Sequence, residues 1–371
     1  MRLLLLLVAH ALVGALRCLD NDGGEVDWWF MYKTPGGYNF SYNDPNNDAT
    51  APLTIFERRM DDDDNPVAIT RTLMSLAEHK DIRRAAYATG NATAKSVETP
   101  SYYLYNDQPD SGTASSSYGH TKGVVAAAND HQSGLWIVHS TPHWPNSEGK
   151  AKFYFPESEI IFGQTFLCIS LNDDDIDAVG QQQLLTRPNL YHQTNFFNEA
   201  NATVFAVYPN IARVLAGDWK TDPGTRTHDF AVGSWPFHVT FTSLAKNKEW
   251  QDDMWENLVA DHYKGGFEVE SWIRGEALGP YCPPDKPQTV VDVQWLHATG
   301  PKGGNVTWKS TQDHAKWGVS VDGSGLNIVC IGDINRMESQ RNRGGGAVCW
   351  SSRTLWEGMA ATVTTADVCK R

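Results

Sequence analysis

His120-Thr121-Lys122 and His314-Ala315-Lys316 open two copies of one short pattern, one copy in each half of the chain. The first tripeptide runs into Gly123-Val124-Val125 and then, past Gly134, into Leu135-Trp136-Ile137-Val138-His139. The second runs into Trp317-Gly318-Val319 and then, past Gly323 and Gly325, into Leu326-Asn327-Ile328-Val329-Cys330. Two apolar runs joined by a Gly-bearing turn read as a hairpin. Each hairpin returns to the end of its own motif, the first with His139-Ser140-Thr141-Pro142-His143, the second with Gly332-Asp333-Ile334-Asn335-Arg336. A context repeated 194 residues apart, from His120 to His314, marks an internal duplication with a pseudo-twofold. It constrains the fold to two similar halves.

In an extended strand, residues i and i+2 point to the same face, so each tripeptide presents an imidazole beside an ammonium. Two such pairs facing each other match a phosphodiester. One imidazole attacks phosphorus, the other protonates the leaving oxygen, and His120, Lys122, His314 and Lys316 together supply acid, nucleophile and phosphate clamp. A single His-x-Lys carries little weight, since roughly one arises by accident in a chain of this composition. A third, His262-Tyr263-Lys264, ends a helical pattern just before Gly265-Gly266, where basic residues belong for structural reasons. The acidic runs Asp61–Asp64 and Asp173–Asp175 lack the glycine and distal glutamate of a calcium loop. Gly344-Gly345-Gly346 lacks the Lys-Ser/Thr of a phosphate loop. The cysteines show no zinc spacing. The expectation is a site without metal or cofactor.

The first residues, with one Arg, an apolar stretch from Leu3 to about Val13 and small residues near Ala15, read as a signal peptide over residues 1–17. No later segment approaches the ~18 apolar residues of a membrane span, so no membrane association is expected. Sequons at Asn39, Asn91, Asn201 and Asn305 fit passage through the secretory pathway. So does the even count of six cysteines, Cys18, Cys168, Cys282, Cys330, Cys349 and Cys369, whose connectivity the sequence leaves open. A formal charge of −13 repels nucleic acid at neutral pH. Protonating all 12 His would bring it to about −1, so a nucleic-acid enzyme of this composition suits an acidic compartment.

Strand patterns alternate irregularly with helical ones at about Pro66–Glu78, Asp174–Leu185, Pro209–Ala216 and Glu249–His262. Thr203–Tyr208, rich in β-branched and aromatic residues, reads as a strand. The fold class expected is mixed α+β, each half a mixed sheet flanked by helices.

Several ordered strings carry a resemblance: Val26-Asp27-Trp28, Tyr32-Lys33, Tyr105-Asn106-Asp107-Gln108-Pro109, Gly119-His120-Thr121-Lys122-Gly123, Trp136-Ile137-Val138-His139-Ser140 and Gly163-Gln164-Thr165. The second half adds Asp313-His314-Ala315-Lys316-Trp317, Gly332-Asp333-Ile334-Asn335-Arg336 and Arg343-Gly344-Gly345-Gly346. Over nearly the whole chain they are similar to the deoxyribonuclease II family of acid deoxyribonucleases. The resemblance implies two phospholipase D-like domains, here 18–196 and 197–371, sharing one active site. It implies metal-independent hydrolysis of double-stranded DNA at acid pH to 3′-phosphate and 5′-hydroxyl ends, in a lysosomal or secreted protein. Attack by an imidazole would pass through a phosphohistidine, and the sequence leaves monomer or homodimer open. It also implies disulfides Cys18–Cys168, Cys282–Cys369 and Cys330–Cys349.

Within that resemblance Asn335, His143 and Gln164 are supporting or phosphate-binding candidates, although related sequences often carry Asn where this chain has His143. By analogy His120 is expected as nucleophile and His314 as acid, an order the sequence does not itself assign. Two other readings use the same residues differently: a phospholipase D-like phosphodiesterase acting on a lipid headgroup, and a non-catalytic secreted DNA-binding or toxin-like relative.

Overall fold

The computed structural model describes residues 15–47, 51–62, 64–76, 100–128, 132–147, 154–194, 197, 202–233, 238–321 and 325–369. Most of the expected signal peptide (1–14) and the sequons at Asn91 and Asn201 lie outside the described residues. The strands of the first half are β1 (Cys18–Leu19), β2 (Glu25–Val26), β3 (Trp28–Lys33), β4 (Phe40–Asn43), β5 (Ser101–Asn106), β6 (Lys122–Ala127), β7 (Gly134–His139), β8 (Gln164–Leu171) and β9 (Leu190–Gln193). Those of the second are β10 (Thr225–Val232), β11 (Val239–Lys246), β12 (Phe267–Glu270), β13 (Val290–Thr299), β14 (Asn305–Lys309), β15 (Trp317–Ser320), β16 (Ile328–Gly332), β17 (Gly345–Ser351) and β18 (Val363–Ala366). The helices are α1 (68–76), α2 (Asp173–Thr186), α3 (Ala202–Val207), α4 (Pro209–Leu215), α5 (Ala260–Tyr263, entered through a π-helical turn at Trp255–Val259) and α6 (Arg353–Thr362).

Two large sheets organise these elements into a mixed α+β fold. The first has the order β4-β3-β8-β7-β6-β5-β9, and the second β10-β11-β17-β16-β15-β12-β13-β14, with β18 on β13. A mixed sheet was expected in each half. The second sheet is mixed, through its parallel β12–β13 pair. The first is antiparallel between all neighbours. Its central strands β5, β6 and β7 follow one another in the chain, and consecutive strands joined without a crossover must run antiparallel.

The duplication reaches well beyond the two hairpins. The neighbours β3-β8-β7-β6-β5 correspond in order and direction to β11-β17-β16-β15-β12. A helix follows the last strand of each set, α2 after β8 and α6 after β17. Each starts on a side-chain cap, Asn172 accepting from the Asp175 amide and Ser352 from that of Leu355.

The largest hydrophobic cluster belongs to both sheets. Alternation along β3 sends Trp28, Phe30 and Tyr32 into it, while Trp29 and Met31 face a second cluster that includes Val67, Ala68 and Ile69. In the second sheet Trp317, Val319, Val329, Ile331, Val348 and Trp350 point into the shared cluster, and Cys330, Cys349, Phe267 and Val269 pack outward around Trp255. Aromatic pairs join the sheets directly: Trp28 with Trp350 (centroids 5.7 Å apart), Trp28 with Phe241 (6.0 Å) and Tyr32 with Trp317 (6.3 Å). Rings of this size dominate the area buried between the sheets.

One expected strand is a helix. Residues 203–208 fall in and just after α3, because Val204 and Tyr208, four apart, both bury in the shared core and the Tyr208 amide bonds the Val204 carbonyl at 2.7 Å. Pro209 then starts α4 at a position where its missing N–H costs nothing. Tertiary burial overrides the local β preference. Disulfides join Cys18 to Cys168, Cys282 to Cys369 and Cys330 to Cys349, the same pairs the resemblance implied. Among the described residues no helix is long and apolar enough to cross a membrane.

Candidate active site

Each His-x-Lys is held by the opposite half of the molecule, in matching ways. The His120 amide donates to the Gly344 carbonyl at 2.8 Å, and the His314 amide donates to the Gly163 carbonyl at 2.9 Å. Gly163 precedes β8 and Gly344 precedes β17, so the two glycines are twofold counterparts. Both sit where a side chain would collide. A Cβ at Gly163 would lie 2.3 Å from Asp313 Oδ1, and one at Gly344 2.3 Å from the Thr186 carbonyl oxygen. Lys122 opens β6 and Lys316 immediately precedes β15, so each motif lies at the entry to its strand.

His314 Nδ1 lies 3.1 Å from Glu159 Oε2 and 3.4 Å from Gln164 Nε2. Its ring stacks on Phe162 (centroids 4.1 Å, 8° between planes) and meets Trp272 edge-on at 3.9 Å. Its Nε2 is buried with no hydrogen-bond partner among the described residues. Burial lowers its pKa from the usual imidazole value to about 4, against the upward pull of Glu159. Asp313 fixes the segment by accepting from the Tyr32 hydroxyl at 2.5 Å, Trp308 Nε1 at 2.8 Å and the Ala315 amide at 2.9 Å.

His120 Nδ1 lies 2.9 Å from Gln340 Oε1, and its Nε2 faces Asp107 Oδ2 at 3.9 Å. The Asp107 carboxylate accepts from Lys122 Nζ and, at 3.1 Å, from Arg343 Nη2. Lys122, His120 and Arg343 hold Asp107 well below the usual carboxylate range despite its burial. Burial among Lys122, Lys316 and Arg343 pushes His120 far down, and Asp107 opposes them.

The charges of both motifs form one cluster. Burial and the nearby Lys122 ammonium lower Lys316 to about 7, and its Nζ donates to the His314 carbonyl at 2.5 Å. Asp333, just past β16, is raised to about 7 by burial, with Lys122 and Lys316 pulling the other way. Below pH 7 the cluster therefore holds a charged Lys316 and a neutral Asp333. Above it, the lysine is neutral and the aspartate charged. The site loses about two positive charges across neutrality, a change that matters to an anionic ligand.

The structure brings His120, Lys122, His314, Lys316 and Gln164 together. Gln164 accepts from the Ser140 hydroxyl at 2.5 Å and donates to Glu159 at 3.1 Å, bracing the Glu159 carboxylate against His314. Asn335 is buried, and its Oδ1 has no hydrogen-bond partner among the described residues. Gly123 pairs with Val138 and Trp317 with Ile331, so Pro142 is the counterpart of Asn335, and Ser140 that of Asp333. His143 stands aside. Its amide bonds the Gln108 carbonyl at 2.7 Å, its Nδ1 lies 3.0 Å from the Pro109 carbonyl, and its φ is +57°. Asn adopts that left-handed conformation more readily than most side chains, so the position holds a turn for which Asn is well suited.

Arg336 is buried with Glu256 and Asp292, and the Lys33 ammonium is satisfied by the Thr34, Gly37 and Ile160 carbonyls. Both brace the fold. Asn39 is half-buried and Asn305 exposed. Glu159, Gln340, Phe162 and Trp272 were not foreseen as site residues. Carrying the repeat on to Phe162-Gly163 and Arg343-Gly344 would have found Glu159 and Gln340, each four residues before its glycine. Among the described residues no group of three or more His, Cys, Asp and Glu is arranged to hold a metal ion.

The sequence profile of the family described as Deoxyribonuclease II matches residues 17–369. The chain is 30% identical to Deoxyribonuclease-2 of Caenorhabditis elegans, over 97% of this chain and 96% of that one. It is 31% identical to Plancitoxin-1 of Acanthaster planci (96% and 93% covered) and 28% identical to Deoxyribonuclease-2-alpha of Mus musculus (94% and 92%).

Proposed function

The chain belongs to the deoxyribonuclease II family, a phosphodiester hydrolase acting on DNA, and we propose that His120, Lys122, His314 and Lys316 carry its chemistry. One imidazole attacks phosphorus and forms a phosphohistidine while the other protonates the departing 5′-oxygen. Water then attacks the phosphohistidine, giving up its proton to the second imidazole. The product ends are a 3′-phosphate and a 5′-hydroxyl. Splitting one hard displacement into two easier ones is what a covalent intermediate contributes. The general acid adds on the order of 10²–10⁴-fold.

The observation that carries this reading is the reciprocal docking of the two motifs through Gly163 and Gly344, which places both pairs in one charge cluster. Lys122 and Lys316 take the place of a metal on the non-bridging oxygens, so the reaction runs without one. The acid preference follows from Lys316 and Asp333. Below pH 7 the first is charged and the second neutral, which favours a bound phosphodiester. Double-stranded DNA is the substrate, and the three disulfides fit a lysosomal or secreted destination.

Plasmid cleavage near pH 5 in the presence of chelator tests it. The wild type is expected to cut, leaving 5′-hydroxyl ends, and His120→Ala and His314→Ala each to lose at least ~100-fold. Full activity in either variant, inhibition by chelator, or hydrolysis of phospholipid vesicles with none of plasmid would overturn the reading.

A further inference from the structure

The twofold that relates the motifs is broken at two positions beside the histidines. Glu159 and Gln340 are counterparts, each four residues before the glycine that holds the opposite motif, so one imidazole has a carboxylate at Nδ1 and the other a neutral amide. Asp107 and Trp272 are counterparts too. Gly123 pairs with Tyr105 and Trp317 with Glu270, and each residue lies two positions further on. The Nε2 of His120 therefore faces a carboxylate at 3.9 Å, while His314 meets an indole ring at the corresponding place and its Nε2 has no partner among the described residues.

We propose that this broken symmetry assigns the chemistry: His314 is the nucleophile and His120 the general acid, with Glu159 and Asp107 as the positioning residues that set that order. The inference rests on the preceding functional reading and reverses the order expected from the sequence. Glu159 accepts from Nδ1–H of His314, which leaves the lone pair on Nε2. Attack by Nε2 makes the ring cationic, and the Glu159 carboxylate compensates that charge as it forms. Phe162, stacked at 4.1 Å, and Trp272 fix the ring plane for attack. With its pKa near 4, His314 is also mostly unprotonated at pH 5.

Asp107 has the converse effect, because an anion beside Nε2 of His120 favours a proton there. Lys122, Lys316 and Arg343 oppose that proton, and a phosphodiester bound on the two ammonium groups offsets their charge. In the first step the Nε2 lone pair of His314 forms a bond to phosphorus, the P–O5′ bond breaks, and O5′ takes the proton from His120 Nε2. In the second, water oxygen bonds phosphorus, its proton passes to His120 Nε2, and the P–N electron pair returns to His314.

An oligonucleotide with a single bridging sulfur at the 5′ position tests the assignment, because a thiolate leaves without a general acid. In single-turnover release of the 5′-leaving fragment, which reads the first step alone, His120→Ala and His120→Asn are expected to lose on the order of 10²–10⁴-fold on the ordinary oligonucleotide and to recover on the sulfur-bridged one. His314→Ala and His314→Asn should stay inactive on both. Glu159→Gln should slow both substrates by the same factor, and Asp107→Asn only the oxygen-bridged one, with near-ultraviolet circular dichroism confirming the fold of each variant. Recovery in the His314 variants, in both sets or in neither overturns the order. A wild type inactive on both substrates would instead remove the functional reading beneath it.

Discussion

Lys316 and Asp333 show how burial turns two ordinary side chains into a pH-sensitive pair. Asp333 is raised to about 7, so the fold favours its protonated form, and the stability this contributes is lost as pH rises through 7. Asp333→Asn keeps an acceptor for the Gly346 amide, which the carboxylate meets at 3.2 Å, and removes the charge. The expected outcome is near wild-type activity at pH 5, where Asp333 is already neutral. At pH 7.5 the variant should have a lower KM and lose less Tm between pH 6 and 8; pH profiles and thermal melts check both. Unchanged profiles would show that Asp333 does not titrate in this range. At this scale the four motif residues were legible, because a strand shows its i and i+2 side chains on one face. Glu159 and Gln340 were not, since each reaches its histidine only after strands from opposite halves are registered.

Among the elements, α2 and the approach to β17 meet most tightly. Gly119 and Gly344 both press on the Thr186 carbonyl at the end of α2, and a Cβ at either would lie 2.0 Å or 2.3 Å from its oxygen. Gly344→Ala must push β17 away from α2 and pull its carbonyl off the His120 amide. A loss of about 1–3 kcal/mol and a lower kcat are expected, read by denaturant unfolding and steady-state kinetics. Gly304→Ala, with nothing within 4 Å of its Cβ and no left-handed φ, is the control and should match the wild type. The triple glycine before Cys349, which is no phosphate loop, serves close backbone approach at Gly344. Strands β1, β4, β9, β10, β13, β14, β17 and β18 escaped the sequence reading. β10 alternates mostly exposed with buried residues on a sheet edge, so its pattern lacks a continuous apolar run.

For the whole molecule, the formal charge swing on acidification is smaller in its histidines and larger in its acids than composition indicates. Burial holds His139 and His314 well below the usual imidazole range, so these stay neutral, and it holds His120 down as well until a bound phosphodiester offsets the cations around it. Burial also raises Asp253 and Asp333 to about 7 and Asp292 to about 6, and lifts Glu270, so their negative charge disappears as pH falls. The net charge becomes less negative and repulsion of DNA falls. His314→Ala, which the proposed mechanism leaves unable to cut, should bind a duplex oligonucleotide at least ~10-fold tighter at pH 5 than at pH 7.5 in the same salt, measured by fluorescence anisotropy. Equal affinity at both values would rule out electrostatic control by these groups.

The duplication, the four motif residues and the family were decided by the sequence itself, because repeated strings and period-two patterns are local and survive in the order of residues. What surrounds each imidazole was decided by tertiary structure. The shared core registers two sheets so that the Gly163 and Gly344 carbonyls accept from the histidine amides of the opposite motifs, bringing Glu159 to one histidine and Gln340 to the other. Two His-x-Lys tripeptides thus acquire different surroundings, and an imidazole responds to the charges within a few ångströms of it, whatever their distance along the chain.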